Sequence, residues 1–437
     1  MVEIQLLLEA TVHPANRQRW SERVAKNRVG LLLLTLAAGS MLVACVAQAQ
    51  TATAIGFVAH SSGAAAPPSD AFSESLSISG TTIVAGDQTD PNQSGDTYMF
   101  SQSGNGWAST GSETSASGFG FDVAASGQNV AVGTLESGLV YVYTQAHHKW
   151  QLVRTLRSPD PSDQYFGDSV AMSGPTLVAS GFTEHHGAGR VYVFTDGVNG
   201  WQKTATLKAS DSRRGANFGS SIAVSGSSIA VSSQDRHGRV YVFSDTARGW
   251  TQEAELGGSM PQNLQFGSAI SLSGNKLAVG ALGSKSTPGR VYIYTNGSTG
   301  WHLTAQLKSP EGAVNEFGGD QFGGDVGISG STVVVGANQS EGLRGQAYVF
   351  ADGTRGWKEV ADLNPSDTVP NSNFGAAVGI SGGTLVVGTD GTPGCSEKIG
   401  NGPSQSTPCI PPWTGGAYVY SNNGSGWRLI TKLVRPQ

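Results

Sequence analysis

The stretch that decides the fold is FGGDVGISGSTVVVGANQSEGLRGQAYVFADGTRGWKEVADL, Phe322 to Leu363. Its parts come in a fixed order: a Phe-Gly pair, a short apolar run, Ser329-Gly330, a second apolar run (Val333-Val334-Val335-Gly336), a loop, the triplet Tyr348-Val349-Phe350, a hairpin, then Trp357 and Leu363. The chain repeats that order seven times. Units start at Phe72-Ser73, Phe119-Gly120, Phe166-Gly167, Phe218-Gly219, Phe266-Gly267, Phe322-Gly323 and Phe374-Gly375. Eight residues after each Phe stands the glycine of a Ser-Gly pair, at 80, 127, 174, 226, 274, 330 and 382. An aromatic triplet opens at Tyr98, Tyr141, Tyr192, Tyr241, Tyr292, Tyr348 and Tyr418, and nine residues after each Tyr stands a Trp.

Each unit reads as four strands. The first alternates and ends at a tight turn, where glycine takes positive φ. The second is continuously apolar, as a strand buried on both faces must be. The aromatic triplet is the third. The fourth alternates, with Trp301, Leu303, Ala305 and Leu307 on one face. The hairpin before it carries turn residues such as Asp196-Gly197 and Asn296-Gly297. One such sheet cannot bury both of its faces, so neighbouring copies must stack. The expected architecture is all-β: a seven-bladed β-propeller of four-stranded blades over residues 72–437, preceded by an N-terminal signal or anchor segment. The recurring Phe and Trp are expected in the core between blades. The first unit reads as degenerate, with Phe72-Ser73 for Phe-Gly and a weak fourth strand.

Composition agrees. Charged residues make up only 14% and glycine numbers 61, which suits short strands joined by turns. Net charge is −5, and beyond residue 50 there are 22 basic against 29 acidic side chains. An acidic body excludes nucleic acid as the expected partner, because phosphate binding needs a basic footprint.

Residues 1–50 read as an export segment. Arg17, Arg19, Arg23, Lys26 and Arg28 precede an apolar run from Val29, and no charge follows until Asp70. Three processing outcomes fit: cleavage after Ala47-Gln48-Ala49, lipidation of Cys45 in the lipobox-like Leu42-Val43-Ala44-Cys45, or retention as an anchor. In each the positive flank stays inside, the body is exported, and membrane contact runs only through this segment. Residues 51–71 are low-complexity and read as a linker.

Phe-Gly, an apolar strand and then Val-Gly-Ala (Val279-Gly280-Ala281, Val335-Gly336-Ala337) resemble the FG-GAP repeat of integrin α-subunit propellers, in its bacterial form with a short Ser-Gly turn. The resemblance spans residues 72–437. It implies an extracellular seven-bladed propeller serving adhesion or recognition of a protein or glycan. Integrin repeats often carry a calcium loop between the first two strands. Here that turn is Ser-Gly-Asn-Lys, Ser-Gly-Ser-Thr or similar, without an acid, whereas calcium takes six to eight oxygens. No calcium is expected at these turns, and no other cofactor is implied. Kelch and sialidase Asp-box propellers fit the spacings less well: the Gly-Gly doublet of the first is not systematic, and the Asp of the second is missing from several copies.

Variation concentrates in the loops after the second strand and between units, which in integrin-like propellers share one face. On it fall Glu184, His185 and His186, Arg236 and His237 beside Asp235, Glu341 with Arg344, and Asp211 to Arg214. The two adjacent histidines offer at most two metal ligands, with no third at a useful spacing. Arg190, Arg239 and Arg290 precede the aromatic triplet in three successive units, where they read either as a rim for an anionic glycan or carboxylate, or as partners of neighbouring acids. The seventh unit carries a long excursion from Gly388 to Tyr418 with Cys395, Cys409 and Trp413. A disulfide between its cysteines would staple it, and Trp413 is a candidate contact. Asp160 with Asp163 and Asp320 with Asp325 read as ordinary turn residues. No nucleophile elbow, phosphate loop or metal cluster is present in the sequence, so a binding module is expected rather than an enzyme. A glycan hydrolase or lyase and an envelope scaffold are the alternatives.

Overall fold

Four consecutive strands make each sheet, and seven such sheets follow one another along the chain. The computed structural model describes residues 72–87, 94–104, 106–135, 137–160, 165–181, 187–211, 213–234, 238–257, 264–284, 287–310, 319–370, 372–389 and 415–436. Blade 6 is typical: Val326–Ser329, Thr332–Ala337, Gln346–Gly353 and Gly356–Leu363 pair antiparallel in that order. The first strands of consecutive blades lie side by side around a central channel, and those of blades 7 and 1 do the same. Among the described residues no strand is exchanged between blades to close the ring. One expectation fails: the fourth strand of blade 1, Gly106–Ser117, is the longest at 12 residues. Its run of Ser, Thr and Gly lacks an apolar stripe, but ladder hydrogen bonds and packing against the outer strands on both sides set its length.

Seven apolar clusters fill the seven seams, one between each pair of neighbouring blades. Each is centred on the Phe of the following blade, which is fully or almost fully buried in every copy. Phe322, for example, lies 5.8 Å from Tyr348 and 6.0 Å from Phe350 by ring centroid, on the spacing of favourable tilted and edge contacts. The repeat's two glycines meet across a seam. A Cβ on Gly336 would stand 2.1 Å from the carbonyl oxygen of Gly375 in the next blade, and Gly375 itself holds φ 93°. In blade 1 a serine fills the second role: Ser73 takes φ 75°, and its hydroxyl bonds the Gly416 carbonyl at 3.0 Å and the Thr389 carbonyl at 3.1 Å.

The serine of each Ser-Gly pair has a function that the turn alone does not reveal. Its hydroxyl accepts a hydrogen bond from the turn-glycine N–H of the next blade. The seven bonds, from Ser79 to Gly127 round to Ser381 and Gly80, span 2.8–3.0 Å and close on themselves. The innermost strands have a free edge whose N–H groups need partners. Further in, Ser77, Ser221 and Ser271 cap Ala125, Ile270 and Ile328 in the same way.

The outer edge is blunted differently. In every blade the pairing of the third and fourth strands slips at the residue three after the Trp, leaving a β-bulge at Thr110, Val153, Thr204, Glu253, Thr304, Val360 and Ile430. In two seams the indole of the next blade bonds to that bulge. Trp150 donates to Thr110 Oγ1 at 3.2 Å and Trp301 to Glu253 Oε1 at 2.6 Å. By the same register Trp427 faces the bulge at Val360, which has no acceptor, and its buried Nε1 has no hydrogen-bond partner. Val360→Thr is therefore expected to raise stability by about 1 kcal/mol in denaturant unfolding, since it satisfies a buried donor at a site already 52% exposed. An unchanged or lower midpoint would contradict this register.

Candidate functional site

Because each first strand runs from Phe to the Ser-Gly turn, alternate connections fall on opposite faces. The Ser-Gly turns and the hairpins occupy one face, which is nearly uniform around the ring. The other face collects the loops after the second strands and the connectors between blades, where lengths and side chains vary.

On this variable face Arg190, Arg239, Arg290 and Arg344 have different fates. Arg239 is buried, and its Nε lies 2.9 Å from Glu255 Oε1 on the neighbouring strand, an ion pair inside its own blade. Arg190 donates from Nη1 to the Gly189 carbonyl at 2.9 Å, and Arg344 donates to the Thr368 carbonyl at 2.7 Å. Arg290 has no such partner among the described residues. Its cross-strand neighbour is Lys308, so two cations stand opposite each other on one sheet face. Like charges so placed oppose pairing. Lys308 is exposed and likewise unpartnered among the described residues. Glu341 falls in the single-turn helix α1, Ser340–Leu343, and its side chain lies outside the described residues. So do Glu184, His185, His186, Arg236, His237, Cys395, Cys409, Trp413 and Cys45.

Several acids of this face tie strands to connectors. Asp211 Oδ1 accepts the Tyr241 hydroxyl at 2.8 Å while Oδ2 pairs with Arg213 at 3.0 Å. Asp367 accepts the Tyr418 hydroxyl at 3.0 Å and the Lys432 ammonium at 2.9 Å. Partial burial would raise the Asp367 pKa, but the Lys432 and Tyr418 contacts outweigh it and hold the carboxyl below its ordinary range. Burial first, then the Asp367 charge, pushes the Tyr418 hydroxyl far up. Asp320 is buried and accepts the Phe322 N–H at 3.0 Å and the Ser309 hydroxyl, pinning the start of blade 6.

Asp325 stands in the bend before the first strand of blade 6, as a turn residue does, but it also bonds across a seam. It and Asp122 occupy the same position in blades 6 and 2, three after the Phe, on the channel side of the innermost strands. Asp122 Oδ1 accepts its own strand's Val123 N–H at 2.9 Å, and Oδ2 accepts Val170 N–H of blade 3 at 2.8 Å. Ser75 of blade 1 adds a long hydroxyl contact at 3.5 Å. Asp325 likewise takes Val326 N–H at 2.9 Å and Val378 N–H of blade 7 at 2.7 Å. Burial pushes Asp122 up to about 7 and Asp325 to about 6, against the pull of those N–H donors, and the charge of Asp325 adds to the rise at Asp122. Both residues are partly buried.

The sequence profile of the FG-GAP repeat matches residues 201–243, 301–350 and 357–402, three stretches in register with the blades. The chain carries FG-GAP repeats on a seven-bladed β-propeller. The chain is also similar, at low identity, to several solved structures. A protein from Lactobacillus plantarum is 15% identical, with TM-score 0.47, covering 69% of this chain and 86% of that one. Hsv2 from Kluyveromyces lactis is 10% identical, with TM-score 0.49, covering 83% and 98%. A chain of the mitotic checkpoint complex is 13% identical, with TM-score 0.47, covering 71% and 84%. No curated protein sequence is significantly similar to the chain. The sequence reading does not single out Asp122 and gives Asp325 only as a turn residue; the signal of both is an Asp at one repeat position that other blades fill with Ser or Ala.

Proposed function

We propose that this FG-GAP propeller is a recognition module of an exported protein, and that its variable face takes an anionic group, a carboxylate or sulfate, on an extracellular protein or glycan. The observation that carries the reading is the Arg290–Lys308 pair, two neighbouring cations without an acid among the described residues. Guanidinium presents a planar fork that fits such oxyanions, and the adjacent ammonium adds a second donor set. The basic flank and apolar run of residues 17–47 support export.

Binding to arrays of carboxylated and sulfated glycans and of envelope proteins tests the reading. Arg290→Ala and Lys308→Ala are expected to weaken the bound ligand at least about tenfold each, the scale of a lost charge-assisted hydrogen bond. An Arg290→Ala protein that binds as well as the parent would contradict it, as would a parent that binds nothing. Turnover of an arrayed glycan would favour the hydrolase or lyase alternative.

A further inference from the structure

The innermost strands, taken with their Phe-Gly starts, carry four acids (Glu74, Asp122, Asp168 and Asp325) and not one Lys, Arg or His. Two of these acids, Asp122 and Asp325, reach across seams. The other titratable groups on the strands packed against that of Asp122 are Glu74, Asp87, Asp96, Tyr98 and Glu113 in blade 1 and Asp168 in blade 3, none of them a cation. The second strands of blades 2 and 6 contribute none, nor do the first strands of blades 5 and 7 that flank Asp325. Asp122 also feels the charge of Asp325. Apart from Lys276, which stands at the turn end of the second strand of blade 5 and is paired with Asp352, the charges on these strands oppose ionisation, while backbone and hydroxyl hydrogen bonds favour it.

We propose that the channel is a proton-dependent clamp: Asp122 and Asp325 join blade 2 to blade 3 and blade 6 to blade 7, and the ring tightens when these carboxylates take up protons on mild acidification. Each carboxylate oxygen has two lone-pair directions. Asp325 uses one on each oxygen, and Asp122 keeps one open on Oδ2, so a proton can be added without displacing any backbone N–H. Uptake removes the charge that desolvation penalises and keeps the stitch.

The sign follows from linkage. Both groups bind protons more tightly in the folded protein than in the unfolded chain, where an aspartate titrates near pH ~3.9. Their contribution is fully present below that value and is lost as pH rises through about 6 for Asp325 and about 7 for Asp122. Acidification from pH ~8 to ~5.5 should therefore stabilise this ring, the reverse of ordinary acid destabilisation. The clamp would make the module's rigidity, and not its ligand contacts, responsive to an acidic surrounding.

The test is denaturant unfolding of the full chain, comparing the parent with Asp122→Asn, Asp325→Asn and the double variant between pH ~5.5 and ~8. The parent's unfolding constant is expected to fall about 100-fold on acidification, and the double variant to lose most of that response. Equal pH responses in parent and double variant would overturn the proposal, as would a parent no more stable at the lower pH. Should the Asp122 variant not fold, proton release by the parent decides: unfolding near pH ~6.5 in weak buffer should release about one proton per chain, and none would refute the clamp.

Discussion

Phe322→Ala is expected to destabilise the protein by about 4 kcal/mol, the largest effect of any single truncation considered. Phe322 is fully buried in the seam between blades 5 and 6, against Val291 and Ile293 on one side and Val333, Val335 and Tyr348 on the other. Removing the ring deletes apolar contact with two sheets at once. The cavity cannot collapse, because the backbone beside it is fixed by Gly323 N–H bonding the Gly336 carbonyl at 3.0 Å. Phe374→Ala should behave alike, since it fills the equivalent seam. Val198→Ala, at a fully exposed hairpin tip, should change stability by less than about 0.5 kcal/mol. Equilibrium unfolding of the three variants checks the contrast. A loss below about 1 kcal/mol at Phe322 would mean that the recurring Phe is not the seam's anchor.

Arg435→Ala is expected to cost about 2 kcal/mol, well above a surface ion pair. Arg435 follows the last strand of blade 7 and reaches into blade 1. Its Nη2 lies 2.6 Å from Asp96 Oδ2, its Nη1 lies 3.8 Å from Asp87 Oδ2, and the guanidinium stands 5.9 Å from the Tyr98 ring. Asp87 is completely buried, and Asp87 and Asp96 are direct cross-strand partners. Without the guanidinium, two like charges face each other across the ladder. Partial exposure of Arg435 allows water to screen part of the loss, which keeps the figure below that of a fully buried pair. Arg435→Lys should recover only part of it, because an ammonium cannot reach both acids as a fork does. The same unfolding measurement decides: a change under about 0.5 kcal/mol would leave closure to apolar packing alone.

The blades were legible because they recur. Phe to Gly at eight residues and Tyr to Trp at nine are spacings within one sheet, and repetition made each visible. What the sequence hid lies between sheets. Ser329 bonds Gly382 and Asp325 bonds Val378, each across 53 residues, so no local pattern announces a partner. A serine before glycine reads as turn chemistry, and an aspartate beside a glycine does too. Only the ring places them at a strand edge in need of acceptors. The fourth strand of blade 1 differs from its sequence expectation for the opposite reason: its composition is poor, but flanking outer strands hold it. Arg190, Arg239 and Arg290 look equivalent in sequence, yet Glu255 in one blade and Lys308 in another make them different groups. The variable face was legible as a region and not as a site, since its loops owe nothing to the repeat.

Hydrogen exchange at the seven turn glycines tests the central claim most directly, namely that the repeat's constant residues join neighbouring blades into a closed ring. Turn amides on a protein surface ordinarily exchange fast. All seven are predicted to be protected, with Gly80 at the seam of blades 7 and 1 slowed like the other six and released selectively in Ser381→Ala. Fast exchange at Gly80 in the parent, with the other six protected, would mean that the ring is open.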